Sequence, residues 1–441
     1  MSTFIIAIVL FAITYVLLLA LPKYRAFVAL GSAVIFSVWL SIFASDIEFG
    51  IADVFGAIDF NILMMIAGTM GIVTLFIESK MPMRIADVML SKFKNVRSAI
   101  VAMALLAGVV SAFVDNVATV LMIAPIALAV CQKQNISPVS AIIAIAISSN
   151  LQGAATLVGD TTAILLGGYA GMNFFDFFWF KGRPGIFWAV EIGAFMTAFI
   201  LLYLFRREKG ALKLTDRTEV KDYVPSYLMI GVVLLLIAAS FIPEPAGGAL
   251  LTLYQLRNGI ICLTLLIVGI VYNLIHTRSF ASTKNVWMEM DYQTLLLLAS
   301  LFIVIGSITA AGVIDRLASL LAGLGGGNLF LMYTVIVFAS VLISAVVDNI
   351  PYVLTMLPVV SGVAAGMGVE PYVLYFGLLV GATLGGNITP IGASANITGI
   401  GILRKEGYEV KASDFMKISV PFTLTAVLTG YLFIWVFWGL L

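Results

Sequence analysis

Two polar strings interrupt long apolar stretches of this chain: Ser-Ala-Phe-Val-Asp-Asn-Val-Ala-Thr at 111–119 and Ser-Ala-Val-Val-Asp-Asn-Ile-Pro-Tyr at 344–352. Each sets an Asp beside an Asn, Asp115 with Asn116 and Asp348 with Asn349. An ionisable side chain at membrane depth is costly and marks a functional site by default. Such an Asp can hold a cation or a proton, and the Asn beside it offers the neutral oxygen that hard cations accept. The bland alternative is a carboxylate that caps a half-helix. Matching strings in matching surroundings point to one site divided between two halves of the chain.

Each string is followed by a glycine-rich run inside another apolar stretch. The first run, 150–162, carries Asn150, Gly153, Thr156, Gly159 and Asp160; the second, 385–396, carries Gly386, Asn387, Thr389, Gly392, Ser394 and Asn396. Gly and Pro release backbone groups from the helical ladder. Freed carbonyls then coordinate cations, and N–H groups at a half-helix start hold anions. The candidate binding set is therefore these residues together with Asp115, Asn116, Thr119, Asp348 and Asn349, with a Na⁺ site expected near the two Asp-Asn pairs. For the glycines, close helix packing is an equal alternative to site chemistry. Asp160 stands alone, and reads as either a helix N-cap or a second titrating group.

The elements that position these residues follow from composition. The 441 residues are 62% hydrophobic and only 11% charged, with a mean hydropathy of +1.11. Soluble domains carry about 25% charged residues, so the chain reads as an all-α polytopic membrane protein. A net charge of +1 points to no nucleic-acid partner. Two Cys and one His, at no ligand spacing, exclude a disulfide framework and a zinc site. A crossing needs roughly 20 apolar residues. Spans are expected at 3–20, 26–44, 60–77, 139–170, 186–205, 224–242, 258–276, 293–311, 371–400 and 418–440. The first is read as a retained span, not a signal peptide. The stretches 139–170 and 371–400 read as broken helices, and 98–132 and 328–366 as re-entrant helical hairpins. Irregular backbone survives in a bilayer only where protein or water surrounds it, so the breaks mark the interior.

A shift of 233 residues superposes the halves without a gap: Asp115 on Asp348, Asn116 on Asn349, Pro125 on Pro358, Gly153 on Gly386, Thr156 on Thr389 and Gly159 on Gly392. Asp59 falls on Asp291 with a shift of 232. The equivalent spans are an odd number apart, which makes the halves inverted repeats, an architecture that binds substrate at the midplane between repeats. The division expected is 1–54 as N-terminal scaffold, 55–205 as the first repeat, 206–222 as a cytoplasmic linker and 223–441 as the second repeat. Lys and Arg gather in loops on one face (Lys23, Arg25, Lys80, Arg84, Lys92, Lys94 and Arg97, the linker, Arg278, Lys284, Arg404, Lys405, Lys411 and Lys417). Read as cytoplasmic, that face leaves both termini extracytoplasmic; Lys181, Arg183, Arg257 and Arg316 are exceptions. Glu78, Asp87 and Glu191 read as interfacial residues, Phe174–Phe180 as an aromatic belt, and 81–93 and 314–324 as interfacial or linking helices.

Two Asp-Asn hairpins, each followed by a Gly-rich broken span, resemble the ion transporter superfamily over about 55–440. The likeness is to its branch of arsenite permeases, NhaD-type sodium–proton antiporters and the melanosomal P protein; the related divalent anion–sodium symporters are more distant. In those symporters Ser-Asn-Thr occupies the tips, where this chain has Asp115-Asn116-Val117 and Asp348-Asn349-Ile350. The branch commonly shows Gly-Asp-Pro-Pro-Asn after the first break, where this chain has Gly159-Asp160-Thr161-Thr162-Ala163. The resemblance implies a homodimer in the plasma membrane (a prokaryotic inner membrane) and an elevator-type transporter with scaffold and mobile domains. The function expected is secondary active transport of a small ion or oxyacid, of the arsenite/antimonite efflux type, coupled to H⁺ or Na⁺ and needing no further cofactor. Na⁺/H⁺ antiport and Na⁺-coupled di- or tricarboxylate transport compete with it. A channel is the alternative of another class. An ATPase partner is expected only for an arsenite pump, since no nucleotide motif is present, and nothing points to an enzyme.

Overall fold

The structure is a computed structural model. It describes residues 3–43, 47, 49–93, 95–134, 136–207, 218–220, 222–277 and 280–440. Most of the expected linker, 208–217 and 221, lies outside the described residues, as do Lys94 and Arg278.

The first half begins with α1 (Thr3–Ala20) and α2 (Arg25–Phe43), then the short α3 (Ile51–Ala57), the long α4 (Phe60–Glu78) and the amphipathic α5 (Met81–Leu90). A helical hairpin follows, α6 (Val96–Ser111) and α7 (Asn116–Lys133), then α8 (Val139–Gly153), an irregular stretch, α9 (Thr161–Tyr169) and α10 (Ile186–Leu204). The second half runs α11 (Val224–Ala239), α12 (Ala249–Gln255), α13 (Arg257–Thr277), α14 (Phe280–Glu289) and α15 (Tyr292–Ala310). It continues with α16 (Val313–Gly325), the hairpin α17 (Leu329–Ser344) and α18 (Asn349–Met367), then α19 (Tyr372–Leu379), α20 (Ser394–Lys405) and α21 (Ala412–Ile434). Among the described residues nine helices are long and apolar enough to cross a membrane, and α16 meets α17 at a bend of 119°. Both second hairpin arms, of 18 and 19 residues, pass that test on length. Length alone therefore does not separate a re-entrant arm from a crossing.

Helix starts are set by side chains that accept the first free N–H groups. Asp59 accepts from Ile62 N at 3.0 Å and Asp291 from Thr294 N at 2.9 Å. Asn95 accepts from Ser98 N at 2.8 Å and Asn328 from Leu331 N at 3.1 Å. Lys80 and Gly312, 232 apart, both enter their helices with positive φ, 61° and 72°. Long helices then pack in pairs. On α4 and α13 the contact is lined by small residues: a methyl group at Gly68 would stand 2.6 Å from Cys262 Cβ, and one at Gly259 2.7 Å from Met64 Cβ. Backbones can approach this closely only without side chains, the usual device between membrane helices. Helices α2 and α15, α10 and α21, and α6 and α8 form further packed pairs.

The structure corrects several expectations. The chain is not purely helical, because β1 (Trp179–Phe180) and β2 (Arg183–Pro184) pair antiparallel. The aromatic run is no simple belt: Phe174 and Phe177 are buried, while Phe175 and Trp179 stay exposed, because a 3₁₀ turn at Phe175–Phe177 folds alternate rings inward. The last helix starts at Ala412, six residues before the expected 418. Glu191 is half-buried in α10 and accepts from Gln152 Nε2 at 3.2 Å.

Candidate functional site

Each Asp-Asn string forms the tip of a hairpin. Asp115 caps α7, accepting from Val117 N at 3.0 Å and Ala118 N at 3.2 Å, and Asp348 caps α18 by accepting from Ile350 N at 3.0 Å. Two such bonds at Asp115 and one at Asp348 hold each carboxylate where the positive end of the helix dipole favours its charge. Both readings of these Asp residues thus meet in one place, a cap that also faces a cavity in the case of Asp115.

The broken spans clasp these tips. Thr156 Oγ1 donates to Ala112 O, and its mate Thr389 Oγ1 donates to Ala345 O. Gly159 passes so close that a methyl group there would stand 2.5 Å from Gly153 O, 2.7 Å from Ser111 O and 2.8 Å from Ala112 O. Gly392 repeats the contact at 2.5 Å from Gly386 O and 2.9 Å from both Ser344 O and Ala345 O. Every atom in the first set maps onto the second by the same 233-residue shift. Close approach, one of the two readings of the glycines, is what these positions do. The two Thr residues act as clamps on tip carbonyls and do not line the cavity. Buried Thr119 likewise turns inward, its hydroxyl 3.5 Å from Val114 O.

The two halves meet through amides. Asn116 Nδ2 donates to Asn150 Oδ1 at 2.9 Å, and Asn150 Nδ2 donates to Asn387 Oδ1 at 3.1 Å and to Thr383 O at 2.7 Å. Asn387 Nδ2 returns to Ile147 O at 3.0 Å. Asn150 and Thr383 are themselves 233 apart, so equivalent positions touch at the centre of the molecule. Asn396 donates to Gly386 O and Thr389 O at 3.1 and 3.0 Å, and leaves its buried Oδ1 without a partner among the described residues.

A cavity of about 480 Å³ opens onto this assembly. Of the expected residues, Asp115, Asn116, Asp160, Asn349 and Ser394 line it. Asp160 caps α9 by accepting from Thr161 N at 2.8 Å and also accepts from Thr162 Oγ1 at 2.9 Å. Its mate Ala393 begins α20 with no side-chain bond, so the acid belongs to one half only. Asp348 turns instead to Arg25, with which it forms an ion pair. The cavity also holds residues that sequence reasoning missed as site residues: Arg25, Glu78, Asn285, Glu289, Asp291 and Thr294. Glu78 accepts from Asn285 Nδ2 at 2.8 Å. All but Asn285, mid-way along α14, sit at or near helix ends, where a charged residue looks like an ordinary interfacial one. The one available signal was the match of Asp291 to Asp59. Five carboxylates against one guanidinium make the cavity acidic: it favours cations, protons or neutral cargo over a bare polyanion. No group of three or more His, Cys, Asp and Glu side chains able to hold a metal occurs among the described residues. A monovalent cation would rest on carboxylate, amide and freed carbonyl oxygens.

The fold and sequence have known relatives. A solved structure of the YdaH transporter from Alcanivorax borkumensis matches with a TM-score of 0.60 at 15% identity, over 94% of this chain and 97% of that one. The chain is 32% identical to the 46 kDa membrane protein of Mycobacterium leprae over 337 residues, 74% of each chain. It is 29% identical to an uncharacterized transporter of Mycobacterium tuberculosis across 98% of both. The human P protein is 26% identical over 85% of this chain but only 53% of its own length. Residues 8–381 match the profile of the citrate transporter family. The chain is therefore a multi-pass membrane protein and a secondary transporter, not an enzyme, and it belongs to the CitMHS citrate transporter family within the ion transporter superfamily.

Proposed function

We propose that the protein is a cation-coupled secondary transporter whose cargo is a polycarboxylate of the citrate class, carried together with neutralising H⁺ or Na⁺. The observation that carries this reading is the acidic cavity: Asp115, Asp160, Asp291, Glu78 and Glu289 face it, and its single cation among the described residues, Arg25, is already paired with Asp348. A bare trianion would be repelled there, whereas a charge-compensated one fits. The family profile names citrate, and a volume of about 480 Å³ lies in the usual range of small-molecule pockets, about 300–1,000 Å³. Asp115, Asn116 and Asp160 hold the coupling ion, and the unpartnered Asn396 Oδ1 offers a further ligand at the second break.

The matched contacts of the two clasps support inverted repeats, with the hairpins re-entering from opposite faces and the clasped tips and breaks moving as one body against α2, α4, α13 and α15. Under the positive-inside reading, the cavity opens to the cytoplasm beside Lys80 and Arg84. A homodimer in the plasma membrane, with both termini outside, completes the picture.

The test is a proteoliposome screen with imposed Na⁺ and pH gradients. Citrate accumulates against its gradient only when the cation gradient points inward. Na⁺ flux driven by pH without any carboxylate would assign Na⁺/H⁺ antiport instead. Gradient-driven arsenite or antimonite movement would assign oxyacid efflux, and flux that no gradient drives uphill would mean a channel.

A further inference from the structure

A second cavity of about 850 Å³ lies at the far ends of α4 and α15. It is the repeat mate of the first. Val73, Ile77 and Asp291 line the 480 Å³ cavity, and their mates under a shift of 232, Ile305, Thr309 and Asp59, line this one. The same shift carries Arg25, the first residue of α2, onto Arg257, the first residue of α13. Each arginine lines its own cavity.

Their states differ. Arg25 is paired with Asp348, at the tip of the second hairpin, with both side chains about three-quarters buried (25% and 21% exposed). Arg257 has no carboxylate in salt-bridge reach among the described residues. Its Nη1 donates to Tyr254 O at 2.7 Å, its guanidinium lies 3.8 Å from the centre of the Tyr254 ring, and its Nε is buried with no partner among the described residues. The carboxylate that corresponds to Asp348 is Asp115, at the other tip, and it too has no cationic partner among the described residues.

We infer that Arg25 and Arg257 are alternate counter-ions for the two tip carboxylates: when the tips move to the other side, Arg25–Asp348 opens and Arg257–Asp115 forms. The cavity around Arg257 is then the second mouth of the cargo path. The inference rests on the inverted-repeat reading above. If the two halves exchange conformations between the two states, every contact between halves is replaced by the contact between its mates. The mates of Arg25 and Asp348 are Arg257 and Asp115. An unpartnered guanidinium nitrogen at a cavity wall is costly; it is explained if its partner arrives in the other state. Arg257 was also an exception to the basic-face pattern, and this role accounts for it. Each pair biases one end of a two-state equilibrium, so the two removals act with opposite sign.

The test uses the full chain with Cys131 and Cys262 replaced by Ser and spin labels at exposed Ile275 in α13 and Ile391 at the second break. Double electron–electron resonance then reports the populations of the two states without any cargo. Arg25→Gln is expected to move the population away from the present state by about tenfold, and Arg257→Gln to move it toward the present state by a similar factor, as loss of one partly buried ion pair implies. In the same background, Arg257→Cys with Asp115→Cys is expected to cross-link under oxidation, as is Arg25→Cys with Asp348→Cys. Shifts of the same sign, or a single unchanged distance in all variants, would overturn the inference. So would absence of the Arg257–Asp115 cross-link in a sample that populates both distances. These readouts need no substrate, so they fail separately from the citrate assay: opposite shifts without citrate flux sustain the exchange and refute the cargo.

Discussion

Replacing Gly159 with Ala inserts one methyl group into the clasp between the first break and the first tip. That methyl would stand 2.5, 2.7 and 2.8 Å from the carbonyl oxygens of Gly153, Ser111 and Ala112. An ordinary contact begins near 3.4 Å, so the three oxygens must retreat by 0.6–0.9 Å. All three belong to backbone, and Ala112 O is also held by Thr156, so no side chain can swing aside to absorb the change. Overpacking of this kind costs about 1–3 kcal/mol, and the rigid surroundings place Gly159→Ala at the upper end. Gly392→Ala meets an almost identical set at 2.5, 2.9 and 2.9 Å and should lose a similar amount. The control is Gly401→Ala inside α20, with nothing within 4 Å of the new methyl among the described residues. It should be neutral or gain up to about 1 kcal/mol from helix propensity. Heating detergent-solubilised protein and measuring the fraction that still elutes as a monodisperse species gives the ranking. Both clasp variants should melt below the native chain and transport less. If Gly159→Ala melts with the native chain and keeps full coupled flux, the clasp does not fix the tip and the packing argument is wrong.

Asp115→Asn and Asp348→Asn should each abolish coupled uptake in proteoliposomes while leaving the fold intact, because amide replaces carboxylate at nearly the same volume; full activity in both would remove the tips from the site. Asp160→Asn keeps an acceptor for Thr161 N but loses the charge, so gradient coupling should weaken more than stability does, measured as the ratio of driven to undriven flux. Thr156→Val and Thr389→Val leave Ala112 O and Ala345 O without their donors, and each should cost about 1–3 kcal/mol in a thermal or denaturant series. Lys80→Gly should raise stability slightly, because Lys80 holds the left-handed conformation that its mate Gly312 adopts freely, whereas Gly312→Ala should cost about 1–2 kcal/mol.

What the sequence determined on its own was the pattern that periodicity and cost make visible. Apolar length set the helices. The price of a carboxylate in hydrocarbon singled out Asp115 and Asp348, and a constant register tied the tips to their breaks. These signals are local or repeat at a fixed interval, so they survive in one dimension. Tertiary structure alone decided which neighbours those residues have. Gly108 leaves room for the Gln152 side chain, and in the second half the sizes are exchanged, with Gly385 against Val341; no register comparison of single positions reveals a compensating pair. Arg25 looked like one more basic loop residue until α2 placed it against Asp348, 323 positions away. Glu78 looked interfacial because it ends α4, and only the packing of α4, α14 and α15 brings it together with Asn285 and Asp291 around one cavity. The chemistry of each side chain is written in the sequence, but the sum of their charges in one space, five acids to one paired base among the described residues, depends on long-range packing.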